Sequence, residues 1–332
     1  MNNKYINDAL IGNGKMLVSF SKQGELLRLA YPTIDYKQNI DFFHVGIKIN
    51  DSAIIYLHDD INNHYEQSYV ENTNILTTNI ENTYFNLNIK QIDFVTIKKD
   101  VLMKQYILKN NNTIDMDINF LIHSEFISST NNQVSARIFN DALLQYDYEN
   151  TFAIFSSEII AAKQLHNSKD NIKSGEIYGK DYIGMTRDSS ISYNLGTLKP
   201  GEEKKICIYI YAKENDKSNS FEDIANEIDK LKKIDIEKEY NDVKRYWEKY
   251  VEKYYSLKRK DYNEKIYKIY KRTILLFPLL TNKETGGIIA GMEIDEKKEM
   301  CGGYRILLDK RCKLYSKSNR FIRYAQRSRE VL

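Results

Sequence analysis

Cysteine, proline and long apolar runs are all scarce in this sequence. Three cysteines in 332 residues (Cys207, Cys301 and Cys312) are too few and too scattered for a disulfide framework. No stretch approaches the roughly 18 apolar residues of a membrane-crossing helix. The N-terminus, Met1-Asn2-Asn3-Lys4-Tyr5, runs into strand-like sequence with no apolar h-region of a signal peptide. A cytoplasmic location without membrane contact is the expectation. Glycine- and serine-rich linkers, internal repeats and low-complexity segments are also missing.

What is present is ordinary for a globular protein: 42% hydrophobic and 29% charged residues, in a chain long enough for two domains and a substantial core. The abundance of Lys, Asn, Ile and Tyr reads as codon bias. The net charge of +3 hides an asymmetry. Residues 306–332 carry eight Lys or Arg against Asp309 and Glu330, leaving 41 basic and 44 acidic groups in the other 305 residues.

Residues 10–215 read as strands. Met16, Val18 and Phe20 alternate after the turn-forming Gly12-Asn13-Gly14. Ser21-Lys22-Gln23-Gly24 then turns the chain into Leu26-Leu27-Arg28-Leu29. Further alternations are Phe85, Leu87 and Ile89, and Ile114, Met116, Ile118, Phe120 and Ile122. A last strand has Ile206, Ile208 and Ile210 on one face and Cys207, Tyr209 and Tyr211 on the other, after the turn Lys199-Pro200-Gly201-Glu202. Many strands with little helical pattern between them predict a mainly β protein built on a large antiparallel sandwich. Near residue 220 the period changes. Ser220 and Asp223 fit a capping box, and Phe221, Ile224, Ile228 and Leu231 recur at helical spacing. Tyr240, Val243, Trp247, Tyr250 and Tyr254 continue the pattern. A third helix is predicted over about 262–280, with Ile266, Ile269, Thr273, Leu276 and Phe277 on one side and Pro278 ending or bending it.

Three features together resemble glycoside hydrolase family 15, the glucoamylase and glucodextranase group in its bacterial and archaeal form. One is Ile11-Gly12-Asn13-Gly14 with its hairpin, ending at Leu29-Ala30-Tyr31-Pro32. Another is the order of parts. The sharpest is Thr285-Gly286-Gly287-Ile288-Ile289-Ala290, then Glu293, then Cys301-Gly302-Gly303-Tyr304-Arg305. The resemblance implies a galactose mutarotase-like super-β-sandwich over residues 1–215, a helical linker over 216–258, and the start of an (α/α)6 barrel over 259–305. It also implies inverting exo-hydrolysis of α-glucosidic bonds and Tyr304 at the first sugar subsite; no cofactor is expected, and although the family can hold a calcium ion, no acidic cluster here argues for a metal.

After Arg305 the family pattern continues Tyr-Cys-Trp-x-Arg-Asp-Ala, whereas this chain continues Ile306-Leu307-Leu308-Asp309-Lys310-Arg311-Cys312. One choice of codons for those seven residues, read one base later, spells Tyr-Cys-Trp-Thr-Arg-Asp-Ala. Residues 306–332 are therefore expected to be an out-of-frame basic tail, following one extra base after the Arg305 codon. Inverting hydrolysis needs a carboxylic acid and a carboxylate base across the sugar. In the family both lie beyond the glucose-gripping motif, so no catalytic residue is assigned and this chain alone is expected to be inactive.

Other readings follow from the same residues. Gly12-Asn13-Gly14 lacks the third glycine and Lys-Ser/Thr of a phosphate loop. His44, His58, His64, His123 and His166 are scattered, and His58-Asp59-Asp60 with His64 reads as a polar surface loop rather than a metal site. Cys301 with Cys312 supports no zinc site, and Glu293 with Asp295 reads as solvated charge. The tyrosines read as packing with wet hydroxyls rather than sugar platforms. The expected partner of the intact protein is an α-glucan or oligosaccharide, with no nucleic acid and an open oligomeric state. The alternatives are a non-catalytic glycan-binding or structural sandwich, a sandwich-plus-barrel sugar phosphorylase and, distantly, a basic-tail DNA binder.

Overall fold

The computed structural model describes residues 7–35, 38–126, 134–216, 220–255 and 263–292. The expectations for Glu293, Asp295, Cys301, Tyr304, Arg305, Cys312 and the tail lie outside the described residues.

Two antiparallel sheets form a sandwich. In spatial order the first runs Ala9–Gly12, Leu17–Phe20, Leu26–Ala30, Ile40–Ile49, Met116–Phe126, Asp188–Leu198 and Ala162–Gln164, with the short strand Ile55–Tyr56 also paired to Ile40–Ile49. The second runs Ile183–Gly184, Ser135–Phe139, Ala142–Tyr146, Asn150–Ser156, Glu203–Glu214, Val101–Asn110, Leu87–Val95, Leu76–Asn82 and Asn63–Tyr69. The period of two along each strand decides which side chains meet. Val18, Phe43, Val45, Ile47, Ile118, Phe120 and Ile122 of the first sheet enclose one core with Leu102, Leu108, Ile206, Ile208 and Ile210 of the second.

A buried ion pair lies in this core. Asp93 and Lys104 are register partners on neighbouring strands, both face inward, and Lys104 Nζ lies 2.7 Å from Asp93 Oδ1. Gln91 Nε2 donates to Asp93 Oδ2 at 2.7 Å, and the Lys104 ammonium sits 4.7 Å from the Phe20 ring centre. Burial pushes the Asp93 carboxyl up and the Lys104 ammonium down, and each partner's charge opposes the other's shift.

The second sheet is apolar on its other face too. Phe94, Met103, Leu144, Phe155, Cys207 and Tyr209 point away from the sandwich core into a second cluster made with helices. A single-turn helix, α1 (Ser168–Asn171), lies instead against the first sheet. The covering helices are α2 (Phe221–Lys232), α3 (Ile236–Tyr255) and α4 (Glu264–Leu276). The capping box is present: the Asp223 N–H donates to Ser220 Oγ and the Ser220 N–H to Asp223 Oδ2. Ile224, Ile228 and Leu231 of α2 and Val243, Trp247 and Val251 of α3 form the buried stripes. Among the described residues no helix is long and apolar enough to cross a membrane.

The third helix and the turn after it divide their apolar residues between two sides. Leu275, Leu279 and Leu280 fold back into the helix-covered cluster, whereas Ile266 and Ile269 are 45% and 60% exposed. Polar anchors choose that side. Asn74 Nδ2 donates to the Leu275 carbonyl at 3.0 Å, and Arg272 Nη1 donates to the Thr73 carbonyl at 3.0 Å, with its guanidinium 3.7 Å from the Tyr69 ring centre.

Trp247 is 2% exposed between α3 and the second sheet. Trp247→Ala should lower stability by about 3–5 kcal/mol, read from denaturant midpoints. A loss below about 1 kcal/mol would mean that the helices are not a packed layer on this sheet.

Candidate functional site

Two stretches singled out in the sequence, Gly12-Asn13-Gly14 and Gly286-Gly287-Ile288-Ile289, come together at one end of the first sheet. Asn13 explains the turn there. Its Oδ1 accepts the Lys15 and Met16 N–H groups at 3.0 and 2.9 Å, while its Nδ2 donates to the Thr96 carbonyl at 3.1 Å. Gly12 has no room for a side chain, because a Cβ would stand 2.4 Å from the Met16 carbonyl oxygen, and Gly14 adopts a φ of +88°. The Gly14 carbonyl then accepts the Lys283 N–H at 3.0 Å. Lys283 begins the turn that leads into Gly286-Gly287-Ile288-Ile289. That turn is closed by a bridge between Thr281 and Ile288 and by the Ile289 N–H donating to the Leu280 carbonyl at 3.0 Å. Two stretches far apart in the sequence, at Gly14 and Lys283, are thus joined through backbone. Beside them, Lys15 pairs with Glu214 at 2.9 Å and Asp100 at 3.5 Å. An open cleft of about 410 Å³ is lined there by Pro32, Tyr148, Glu149, Asn150, Glu214, Asn215 and Asp216.

A second constellation sits at the other end of the strand Leu17–Phe20. The strand Ile40–Ile49 turns Phe43, Val45 and Ile47 into the core, so Phe42 and His44 face outward. His44 is the cross-strand partner of His123. His58 follows Ile55–Tyr56, and its ring centre lies 4.4 Å from that of His44. Glu25 follows the Ser21–Gly24 turn and places Oε1 3.1 Å from His44 Nε2 and 3.8 Å from His58 Nε2. Phe42 links this group to His123, with ring centres 4.8 Å from His44 and 4.6 Å from His123.

His123 Nε2 is 2.6 Å from Asp188 Oδ1, which also accepts from Ser168 Oγ at 2.5 Å, while Asp188 Oδ2 accepts the Lys169 N–H at 3.2 Å. Burial would raise the Asp188 carboxyl, but the hydrogen bonds from His123 and Ser168, the His123 charge and the Lys169 N–H together bring it down to about 2. Burial pushes the His58 imidazole down to about 4 despite the raising effect of Glu25, so it is neutral at pH 7. Burial likewise pushes the Cys207 thiol up to about 12, leaving no thiolate to react.

Three of the five histidines therefore converge, where the sequence alone scattered them. His58 is half-buried rather than part of an open polar loop, whereas His64 is exposed on a different strand. Glu25 was not singled out from the sequence. The only local signal was the period of two that puts His44 outward beside His123.

Comparisons place this architecture. No family model matches the chain. The chain is a distant relative of an uncharacterised glycosyl hydrolase from Methanocaldococcus jannaschii, 28% identical over 294 residues, which is 85% of this chain and 46% of that protein. It thus spans about half the length of this curated relative. Among solved structures, a bacterial glucoamylase complexed with acarbose superposes with a TM-score of 0.73 at 11% identity, covering 92% of this chain and 46% of the glucoamylase. A protein described as a kojibiose phosphorylase from the human microbiome superposes at 0.51 and 12% identity, over 74% of this chain and 36% of that one. The fold is therefore a two-sheet sandwich followed by helices, shared with parts of longer chains.

The Asp188 carboxyl makes an acid-side prediction. Its folded value lies below the ordinary one, so its contribution to stability is complete above about pH 4 and is lost as pH falls toward 2. Asp188→Asn should flatten that part of a stability-versus-pH curve, read from urea midpoints. A wild-type slope retained between pH 4 and 2 would contradict the assignment.

Proposed function

We propose that this chain is the N-terminal portion of a glucoamylase-like glycoside hydrolase, and that its sandwich and helices form the seat on which an (α/α)6 barrel begins. The observation that carries the reading is the 28% relation to a glycosyl hydrolase over 294 residues, of which this chain spans only 46%. The glucoamylase superposition, covering 92% of this chain, supports the same placement. So does the Gly14–Lys283 backbone bond, which ties the first family-like motif to the start of the last one. The outward Ile266 and Ile269 of α4 suit a helix that has a further helical neighbour in the intact barrel.

In this reading residues 1–215 are the sandwich, 216–258 the helical connector, 259–305 the barrel's opening segment and 306–332 an out-of-frame tail. The intact protein takes an α-glucan or oligosaccharide, as acarbose in the glucoamylase complex suggests. Tyr304 lines its first subsite. The barrel supplies one carboxylic acid to protonate the leaving oxygen and one carboxylate to activate water, on opposite sides of the sugar. The chain alone binds at most and does not turn over.

The phosphorylase reading has the 0.51 superposition in its favour. Both readings are separated by assaying maltooligosaccharides and kojibiose, with and without phosphate, against this chain and against the gene with one base removed after the Arg305 codon. The proposal expects no product from this chain and phosphate-independent glucose from the restored gene. Glucose 1-phosphate would support the phosphorylase. Glycan binding by both proteins with turnover by neither would support a binding module.

A further inference from the structure

We propose that Glu25, His44 and His58 form a binding site for one divalent transition-metal ion of the zinc class. The three ligand atoms, two imidazole nitrogens and one carboxylate oxygen, all lie within 4.8 Å of one another. A tetrahedral zinc ion with bonds of about 2.0–2.1 Å needs its donors about 3.3 Å apart. The Glu25 Oε1 to His44 Nε2 distance of 3.1 Å and the Glu25 Oε1 to His58 Nε2 distance of 3.8 Å bracket that value. The two imidazole nitrogens lie within 4.8 Å of each other, and rotation of the side chains toward the ion closes the set. The donors are also chemically selective. Two imidazoles and one carboxylate suit Zn²⁺, Co²⁺ or Ni²⁺, whereas Mg²⁺ and Ca²⁺ prefer all-oxygen shells.

Each ligand is held by structure that predates any metal. His44 stands mid-strand and stacks on Phe42 at an interplanar angle of 21°. His58 follows Leu57, whose N–H donates to the Val45 carbonyl at 3.0 Å and fixes this segment beside the strand carrying His44. The Glu25 turn is closed on both sides: the Glu25 N–H donates to Ser21 Oγ at 3.2 Å, and its carbonyl accepts the Ser21 N–H at 3.0 Å. Gly24 adopts a φ of +79°, and its carbonyl accepts from Gln91 Nε2 at 2.8 Å. Gln91 in turn holds Asp93 of the core ion pair. The sandwich interior therefore sets the position of the carboxylate ligand.

Exposure marks the open position. The Glu25 and His58 side chains are 7% and 12% exposed, while His44 is 26% exposed. Three protein ligands with solvent on the His44 side leave a fourth coordination position for water or a small oxygen ligand. This site is independent of the barrel, so it stands or falls apart from the hydrolase reading.

The test uses the full chain, stripped with chelator and titrated with Zn²⁺ and then Co²⁺. One zinc per chain is expected by equilibrium dialysis and metal analysis. Cobalt should give the intense visible bands of a four-coordinate nitrogen–oxygen site, with two paramagnetically shifted imidazole N–H resonances. Glu25→Gln, His44→Gln and His58→Gln should each weaken zinc by more than about 100-fold, exceeding the 10–100-fold cost of losing a supporting contact. His64→Gln should not change it. Circular dichroism checks that each variant is folded, and the wild-type cobalt spectrum decides the matter if one is not. No retained zinc would overturn the proposal. So would binding unchanged in all three variants, or cobalt–thiolate charge-transfer bands, which would assign the metal to cysteine.

Discussion

A sheet that is apolar on both faces has to be covered on both, and that constraint organises this molecule. The strand Glu203–Glu214 shows it most plainly: Ile206, Ile208 and Ile210 enter the sandwich core, while Cys207 and Tyr209 enter the helix-covered cluster. Each large apolar side chain left in water would forfeit about 1.5–3 kcal/mol. The helices after residue 220 are therefore a third layer of the fold as much as a connection. Trp247 on α3, Ile228 on α2 and Leu275 after the polar anchors of α4 all serve that one surface. The layer also carries the chain back to the Gly12–Gly14 turn, where Lys283 bonds to Gly14.

Polar groups inside the sandwich fix what apolar packing leaves free. A buried ion pair adds little net stability over an apolar replacement, but losing one partner is costly, because the other charge is stranded. The pair Lys104–Asp93 and its neighbour Gln91 reach through to the Gly24 carbonyl. Strand register in the second sheet is thus coupled to the turn that presents Glu25. The cluster of Glu25, His44 and His58 on the first sheet is anchored by the same interior that separates the two sheets.

Much of the architecture follows from local pattern. Alternation along the strands named both faces of Glu203–Glu214, and the Ser220–Asp223 spacing announced the start of α2. Helical periodicity left the facing of α4 open, since Ile266 and Ile269 are as apolar as Leu275. Nothing local says which side meets the sandwich, since Asn74 and Thr73, which settle it, lie some 200 residues away. The histidine cluster was hidden for the same reason. Its members come from a turn, a long strand and the segment after a short strand, and only the pairing of those elements unites them. Tyr304 rests on motif alone, as it lies outside the described residues.

The chain's central reading, the front part of a glycosyl hydrolase with a shifted frame after Arg305, is a statement about a gene, so DNA tests it most directly. The measurement is the genomic sequence from the Gly286 codon to several hundred bases beyond the Leu332 codon. The account predicts that the frame one base over continues as Tyr-Cys-Trp-x-Arg-Asp and then through the alternating helices of a full barrel. A clean single frame through residues 306–332, with no barrel-like sequence in the shifted frame, would contradict it and leave the sandwich with its helical layer as the functional unit.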